Sequence, residues 1–206
     1  MLATLTPDFL LTAFIVCISP GIGVVYTLSV TLGAGFRAGV WATVGCTLAT
    51  VFHLGVAMAG LAAVLHTSAV LFQAIKFAGV AYLLWMAWAV LQSTGSMAVT
   101  ATSGGSPAQI VWRGIVLNLL NPKLPLFFVA FLPQFLPAGD TAGLGALITL
   151  GAGFTGMTAA TFLIYATLGA SGRSTIVNSP RLLTAMRRAF AASFAFLGAR
   201  LAFERA

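Results

Sequence analysis

Charged side chains are scarce in this sequence. Only 6% of its 206 residues are Asp, Glu, Lys or Arg, whereas an ordinary soluble domain carries about 25%. Hydrophobic residues make up 60% of the chain. Because so few charges cannot cover the surface of a soluble domain of this size, the composition predicts an all-α integral membrane protein.

Acidic residues and histidines are the scarcest of all, with three acids and two histidines in the whole chain. Membrane-embedded proteases, acyltransferases and phosphatases need clustered Ser and His, paired Asp or metal ligands. We therefore expect no enzyme, no metal site and no cofactor. The two cysteines, Cys17 and Cys46, lie inside apolar runs without metal-ligand spacing and are predicted to be buried thiols.

Basic residues outnumber acids, ten against three, which gives a net charge of +7. They do not form a patch with base-stacking aromatics, so we expect no nucleic-acid partner. They lie between the apolar runs, where the positive-inside rule places them, and the partner implied is the lipid bilayer. The connections that this rule places in the cytoplasm hold Arg37, Arg113, Arg173, Arg181, Arg187 and Arg188.

Apolar runs of about 20 residues predict helices that cross the membrane. The sequence has six, at residues 9–32, 40–65, 69–91, 110–136, 144–168 and 189–203. The sixth contains Arg200, so an interfacial helix is its alternative, and five spans would put the C-terminus in the cytoplasm. The predicted organisation is one membrane domain, with three-helix repeats at residues 1–92 and 110–206 and a polar linker at 93–109.

Two of the predicted spans contain a proline motif near the middle. Ser19-Pro20-Gly21 interrupts the first span, and Asn121-Pro122-Lys123 interrupts the fourth. Proline removes a backbone donor, and within lipid the freed carbonyls need a partner in protein or water. One such proline is often a simple kink. Two in corresponding spans predict six helices arranged as two inverted repeats, with helices broken at Pro20 and Pro122.

Transporters with inverted repeats bind their substrates near the middle of the membrane, where broken helices leave half-helix ends exposed. The N-terminus of a half-helix carries free N–H groups and partial positive charge, which suit a carboxylate. Gly21 and Gly23 follow the first break and allow close backbone approach. The predicted substrate-binding residues are Ser19, Pro20, Gly21, Gly23, Asn118, Asn121, Pro122 and Lys123.

The polar residues of the second break each have an alternative role. Lys123 lies near the middle of an apolar span, where a charged residue is costly and by default a functional candidate, although a lysine that snorkels to the interface is the alternative. Asn118 and Asn121 either bind substrate or satisfy the broken backbone.

Proton coupling usually requires a titratable group inside the membrane. Asp8, Asp140 and Glu204 all lie near predicted span ends, whereas His53 and Lys76 lie further inside. Histidine titrates near physiological pH, yet a lone histidine among apolar residues is more often a hydrogen-bonded packing residue. The coupling candidates are therefore His53, Lys76 and Asp8, and the alternative for Asp8 is a helix N-cap.

Several motifs together carry a family resemblance. They are Ser19-Pro20-Gly21, the Gly-rich turn at residues 33–39, the group Lys76, Gly79, Tyr82 and Leu83, the run at residues 118–123, Phe127-Phe128 and Pro133-Gln134-Phe135. In these motifs the sequence resembles the LysE/RhtB family of amino-acid exporters. That family usually has Pro-Gly-Pro and then a polar residue in its first helix. Here Ile22 and Gly23 take the last two places, so substrate preference carries over less readily than fold.

The resemblance implies a secondary transporter in the bacterial inner (cytoplasmic) membrane. It would export amino acids or close derivatives from the cytoplasm, coupled to the proton motive force. A passive channel is the alternative, and the absence of catalytic clusters in the sequence disfavours an embedded enzyme. Small-residue pairs such as Gly45-x-x-x-Ala49 and Ala152-x-x-x-Gly156 predict close packing of helices in a bundle. The small chain and these small-residue faces suggest a homodimer.

Overall fold

The computed structural model is all-helical, without strands, in the residues that it describes. These are residues 5–18, 21–65, 69–92, 102, 104–121, 124–125, 127–128, 132–136, 144–171, 184–185, 188, 191–192, 195–196, 198–199 and 202. They include α1 (Pro7–Ile18), α2 (Ile22–Ala34), α3 (Phe36–Leu65), α4 (Ala69–Gln92), α5 (Pro107–Leu119), a 3₁₀ helix (Leu132–Phe135) and α6 (Leu144–Ala170). The prediction of an all-α fold is confirmed for this part of the chain.

The first predicted span consists of two helices. α1 is capped by Thr6, whose hydroxyl accepts a hydrogen bond from the Phe9 N–H at 3.2 Å. The alternative that Asp8 caps this helix is therefore wrong. α1 ends at Ile18, α2 begins at Ile22, and the two helices are bent by 55°. Ser19 and Pro20 lie outside the described residues, and the helices on both sides stop where the sequence predicts a break.

α6 packs beside both α1 and α2. Gly153 lies against Leu5 near the start of α1, and Gly169 lies against Leu28 and Thr31 in α2. With 27 residues, α6 is about 40 Å long, which is enough to cross the hydrocarbon core of a bilayer. The bent pair therefore packs against one straight helix that is long enough to span the membrane.

A one-residue turn joins α2 to α3. Gly35 has a φ of +84°, a left-handed conformation that glycine adopts without a clash of a Cβ atom. Its N–H donates to the Thr31 carbonyl at 2.8 Å and closes the end of α2. α3 begins directly afterwards at Phe36, four residues before the predicted second span, and returns antiparallel to α2.

α3 and α5 pack closely through glycines. Gly45 of α3 lies against the backbone of Val111, and Gly114 of α5 lies against the backbone of α3, where an added Cβ would be 3.2 Å from the Ala42 oxygen and the Cys46 nitrogen. Small residues let helix backbones approach in this way. The predicted packing role of Gly45 is confirmed, whereas Gly156, from a second predicted pair, is exposed with no neighbour within 4 Å of an added Cβ.

α5 begins and ends at definite signals. A capping box formed by Ser106 and Gln109, with Pro107 in the first turn, starts the helix three residues before the predicted fourth span. α5 ends at Leu119, just before the predicted break. Beyond it, Phe128 packs on Phe154 of α6 with ring centroids 4.8 Å apart. The interruption of the fourth span is therefore confirmed in the described residues around it, and Pro122 and Lys123 lie outside them.

Two described helices are long and apolar enough to cross a membrane, at Phe36–Gly60 and Gly145–Ala170, and the bent pair α1–α2 makes a third if it counts as one span. Large apolar side chains such as Phe52, Trp112 and Ile164 are more than half exposed, which fits contact with lipid rather than water. Every described residue between 184 and 202 is helical, in the region of the predicted sixth span. The number of spans stays a prediction.

Candidate functional site

The two predicted breaks meet at one cavity. Gly21 and Gly23, at the start of α2, line it together with Asn118 and Asn121, at the end of α5. Its walls also include Val16, Cys17, Val24, Leu124, Thr158 and Phe162. Half of the predicted substrate-binding residues are thus brought together, and the other half, Ser19, Pro20, Pro122 and Lys123, lie outside the described residues.

The cavity is narrow. Its total empty volume is about 330 Å³, which includes the part that is open to the outside. The volume within which the centre of a water molecule fits is about 30 Å³. One water needs about 10–15 Å³ of such room, so the cavity is large enough for water. A free amino acid is several times larger than water, and its entry requires the walls to move apart.

A wider groove shares one residue with the cavity. It is open to the surface and is lined by Gly21, Ile22, Val25, Tyr26, Ser29, Thr102 and Leu117. Its empty space is about 840 Å³ including the open part. Because Gly21 lines both spaces, the N-terminus of α2 lies between the groove and the cavity.

The break after α5 leaves a carbonyl that two groups satisfy. In an unbroken helix the Asn118 carbonyl would accept from the N–H of residue 122, but Pro122 has none. The carbonyl instead accepts from the Asn121 N–H at 3.2 Å and lies 3.2 Å from Nε2 of the buried His53. Because a carbonyl oxygen only accepts, Nε2 carries the hydrogen of this bond. His53 of α3 therefore caps the broken end of α5.

The end of α1 is satisfied in a similar way by another helix. The hydroxyl of Tyr165 in α6 donates to the Ile18 carbonyl at 2.8 Å. Ile18 is the last residue of α1, so its carbonyl has no following helical turn to supply an N–H group. Each break thus receives a side-chain donor from a neighbouring straight helix.

The Asn118 side chain fixes the second break against its neighbours. Its Nδ2 donates to the Cys46 carbonyl of α3 at 2.9 Å. A Cβ atom on Gly23 would lie 3.1 Å from the Asn118 Oδ1 and 3.0 Å from the Phe162 ring. Glycine at position 23 therefore lets α2, α5 and α6 close around the cavity. The Asn118 side chain thus holds the end of α5 against an unbroken part of α3, whereas the freed carbonyl of the break is satisfied by the Asn121 N–H and by His53.

The three coupling candidates occupy different places. His53 bonds to Asn118, a residue that lines the cavity. Asp8 is exposed in the first turn of α1. Lys76 belongs to α4, and its side chain lies outside the described part of the structure.

Six residues of the cavity wall were not predicted from the sequence, and three of them, Cys17, Thr158 and Phe162, lie close together. The Cys17 sulfur lies 3.3 Å from the Thr158 hydroxyl, and Phe162 lies one turn beyond Thr158 on α6. Burial of both cysteines is confirmed, but the place of Cys17 in the cavity wall is new. Thr158 did carry a signal, because it is a polar residue near the middle of an apolar span, at the depth where the breaks were expected.

Comparison with known proteins agrees with the predicted family. The model of the LysE type translocator family matches residues 14–205. A membrane protein of Vibrio cholerae is 31% identical over 201 residues, which cover 96% of both chains. The homoserine/homoserine lactone efflux protein of Salmonella typhimurium is 29% identical over 96% of this chain and 95% of its own length.

A third relative matches a shorter part of the chain. The leucine efflux protein of an Enterobacter species is 34% identical over 63% of this chain and 62% of its own length. No solved structure matches the chain. The family match extends over both halves of the sequence and includes both breaks. The chain is therefore a member of the LysE type translocators, a family of multi-pass membrane transporters and not of enzymes.

Proposed function

We propose that this protein exports amino acids or close derivatives from the bacterial cytoplasm, driven by the proton motive force. The observation that carries the proposal is the cavity in which both helix breaks meet, since polar groups at this depth are costly unless they are used. The efflux activities named for the Salmonella and Enterobacter relatives support amino acids as the substrate class.

The substrate carboxylate is proposed to bind at the N-terminus of α2. Gly21 is the N-cap of this helix and has no side chain that could occupy the first-turn N–H groups. Together with the helix dipole, these groups favour an anion. Lys123 is proposed to pair with the same carboxylate, Asn121 and the Oδ1 of Asn118 to bind the amine, and Ser19, Pro20 and Pro122 to hold the two breaks open.

The proposed architecture is six membrane helices in two inverted repeats. Its support is the antiparallel arrangement of α2 and α5. The start of α2 at Gly23 lies beside the end of α5 at Asn118, and further along α2 the Tyr26 hydroxyl donates to the Ile110 carbonyl, in the first turns of α5, at 2.8 Å. The broken helices of the two halves thus run in opposite directions, as an inverted repeat requires.

Proton coupling is proposed to act through His53. Its Nε2–H bond to Asn118 is compatible with both the neutral and the protonated ring, because protonation adds a hydrogen at Nδ1 and leaves Nε2–H in place. A proton can therefore arrive and leave without loss of the cap on α5. Its charge would act on a residue that lines the cavity.

The test is transport by the purified protein in proteoliposomes with an imposed proton gradient. Accumulation of a labelled amino acid against its own gradient, abolished by a protonophore, is the expected result. Downhill flux that is indifferent to the proton gradient would identify a passive channel. No flux of any amino acid would contradict export.

Lys123→Ala tests the proposed site. Loss of a charge-assisted contact to the carboxylate is expected to lower transport about tenfold or more, with the yield of folded protein unchanged. The matched control is Arg113→Ala, because Arg113 is an exposed cation on the same predicted span. Transport by Lys123→Ala at the level of this control would remove Lys123 from the site.

A further inference from the structure

The polar groups that line the cavity in the described residues are uncharged. They are the amides of Asn118 and Asn121, the thiol of Cys17 and the hydroxyl of Thr158. The rest of this lining is aliphatic, aromatic or glycine. Such a wall can form hydrogen bonds with a substrate but cannot neutralise a charged substrate side chain.

The sequence has few acids that could supply a counter-charge. It contains Asp8, Asp140 and Glu204 and no other acid. Asp8 is exposed near the start of α1, nine residues or about 14 Å before Cys17. Asp140 and Glu204 lie outside the described residues, near the ends of the predicted spans. A substrate with a cationic side chain would therefore leave a second positive charge in the membrane without a carboxylate partner, which is strongly unfavourable.

From this lining we infer that the substrate is an amino acid with an uncharged side chain, and that Cys17 and Thr158 determine which side chain is accepted. The inference rests on the proposed function and narrows its substrate class. The carboxylate and amine of such a substrate are opposite charges that the start of α2 and the amides can bind. Its side chain then meets the wall formed by α1 and α6.

The geometry at Thr158 favours small side chains that can donate a hydrogen bond. The Thr158 hydroxyl donates to the Phe154 carbonyl at 3.0 Å. Its oxygen is therefore left as an acceptor, to the Cys17 thiol at 3.3 Å and, with its second lone pair, to a substrate hydroxyl. Apolar neighbours such as Val16 and Phe162 accommodate an aliphatic side chain as well.

The substrate class is tested by counterflow in proteoliposomes with labelled L-threonine, L-leucine, L-lysine and L-arginine. L-threonine and L-leucine are expected to exchange, and L-lysine and L-arginine to exchange at least tenfold more slowly, roughly the effect of one unpaired charge. Exchange of L-lysine or L-arginine at the rate of the neutral amino acids would overturn the inference and leave export standing. Exchange of none of the four would overturn both the inference and the proposed export.

Thr158→Val tests the specificity role, because valine keeps the shape and removes the hydroxyl. The ratio of L-threonine to L-leucine exchange is expected to fall about three- to tenfold, the effect of one lost hydrogen bond. The matched control is Thr167→Val. Thr167 is exposed on the same helix and makes the same bond to the carbonyl four residues before it, at 2.9 Å. A purely structural effect would lower both rates together and leave the ratio unchanged.

Two further variants keep the test decisive if Thr158→Val does not fold. Thr158→Ser retains the hydroxyl and is expected to keep the wild-type ratio. Cys17→Ala removes the second polar group of the wall and is expected to change the ratio. If both Thr158→Val and Cys17→Ala fold and neither changes the ratio, the specificity role is overturned. If Thr158→Val does not fold, an unchanged ratio in Cys17→Ala alone overturns it.

Discussion

Each of the two helix breaks leaves a backbone carbonyl without its helical N–H donor, and different residues satisfy that carbonyl at the two breaks. The first break is followed by glycines, and the Ile18 carbonyl accepts a hydrogen bond from the Tyr165 hydroxyl of α6. The second break is preceded by residues with amide side chains, and the Asn118 carbonyl accepts a hydrogen bond from the His53 ring of α3. In both cases a neighbouring helix supplies the donor that the broken helix lacks, since a freed carbonyl within a membrane needs a partner in protein or water.

The difference between the breaks gives each a separate task. The first contributes space, since Gly23 leaves room for the Asn118 oxygen and the Phe162 ring. The second contributes polar atoms and the His53 ring, which is proposed to carry the coupled proton. Substitutions at the first break should therefore act through steric overlap. Those at the second should act through hydrogen bonding and, under the proposed coupling, through proton exchange.

The largest effect is expected from Gly23→Val. The new Cβ would lie 3.0 Å from Phe162 and 3.1 Å from the Asn118 Oδ1, and the two methyl groups would add further overlap. Overpacking of this kind costs about 1–3 kcal/mol and should also push the two breaks apart. We expect a lower free energy of unfolding in detergent and a loss of transport for every substrate.

Gly156→Val is the matched control for this steric effect. Gly156 is a glycine of α6 close to the cavity residue Thr158 in sequence, but it is exposed, and an added Cβ has no neighbour within 4 Å. Its replacement should leave folding and transport close to wild type. Equal losses in the two variants would show that close packing at the first break is not what position 23 provides.

A more selective effect is expected from His53→Gln. A glutamine amide can still donate to the Asn118 carbonyl, but it cannot exchange a proton in the physiological range. The variant should fold and carry out downhill exchange, whereas accumulation driven by a proton gradient should be lost. His53→Leu removes the donor as well and should lower exchange too. Proton-driven accumulation by His53→Gln at the wild-type level would mean that His53 caps α5 and does not couple protons to transport.

The breaks themselves could be predicted from the sequence, whereas most of the cavity wall could not. Proline has a local and obligatory effect on a helix, so Pro20 and Pro122 marked both interruptions from the sequence alone. The signal of Pro122 even extends to Asn118, because the carbonyl that loses its donor lies four residues earlier. The donor that replaces the missing N–H is His53 of α3, and the local sequence around Pro122 does not predict a donor from another helix.

The part of the cavity wall that α6 forms could not be predicted from the sequence, for a related reason. A helix in a membrane is apolar on all sides, so its sequence has no periodicity to tell which face meets the protein and which meets lipid. Thr158 and Tyr165 were visible as polar groups in an apolar span, but their partners Cys17 and Ile18 lie more than a hundred residues away. Only the packing of α6 along α1 and α2 brings them together.

The smallest effect in this comparison is a difference in stability rather than in transport, and it is expected between Tyr165→Phe and its matched control, Tyr26→Phe. Each variant removes one hydroxyl that donates to a backbone carbonyl at 2.8 Å. The Ile110 carbonyl lies inside α5 and keeps the N–H of Gly114, so Tyr26→Phe should cost about 0.5–1 kcal/mol. The Ile18 carbonyl ends α1, and its loss of a partner should cost about 1–3 kcal/mol. Denaturant unfolding of both variants in detergent measures the difference, and equal costs would mean that the first break does not depend on its cap.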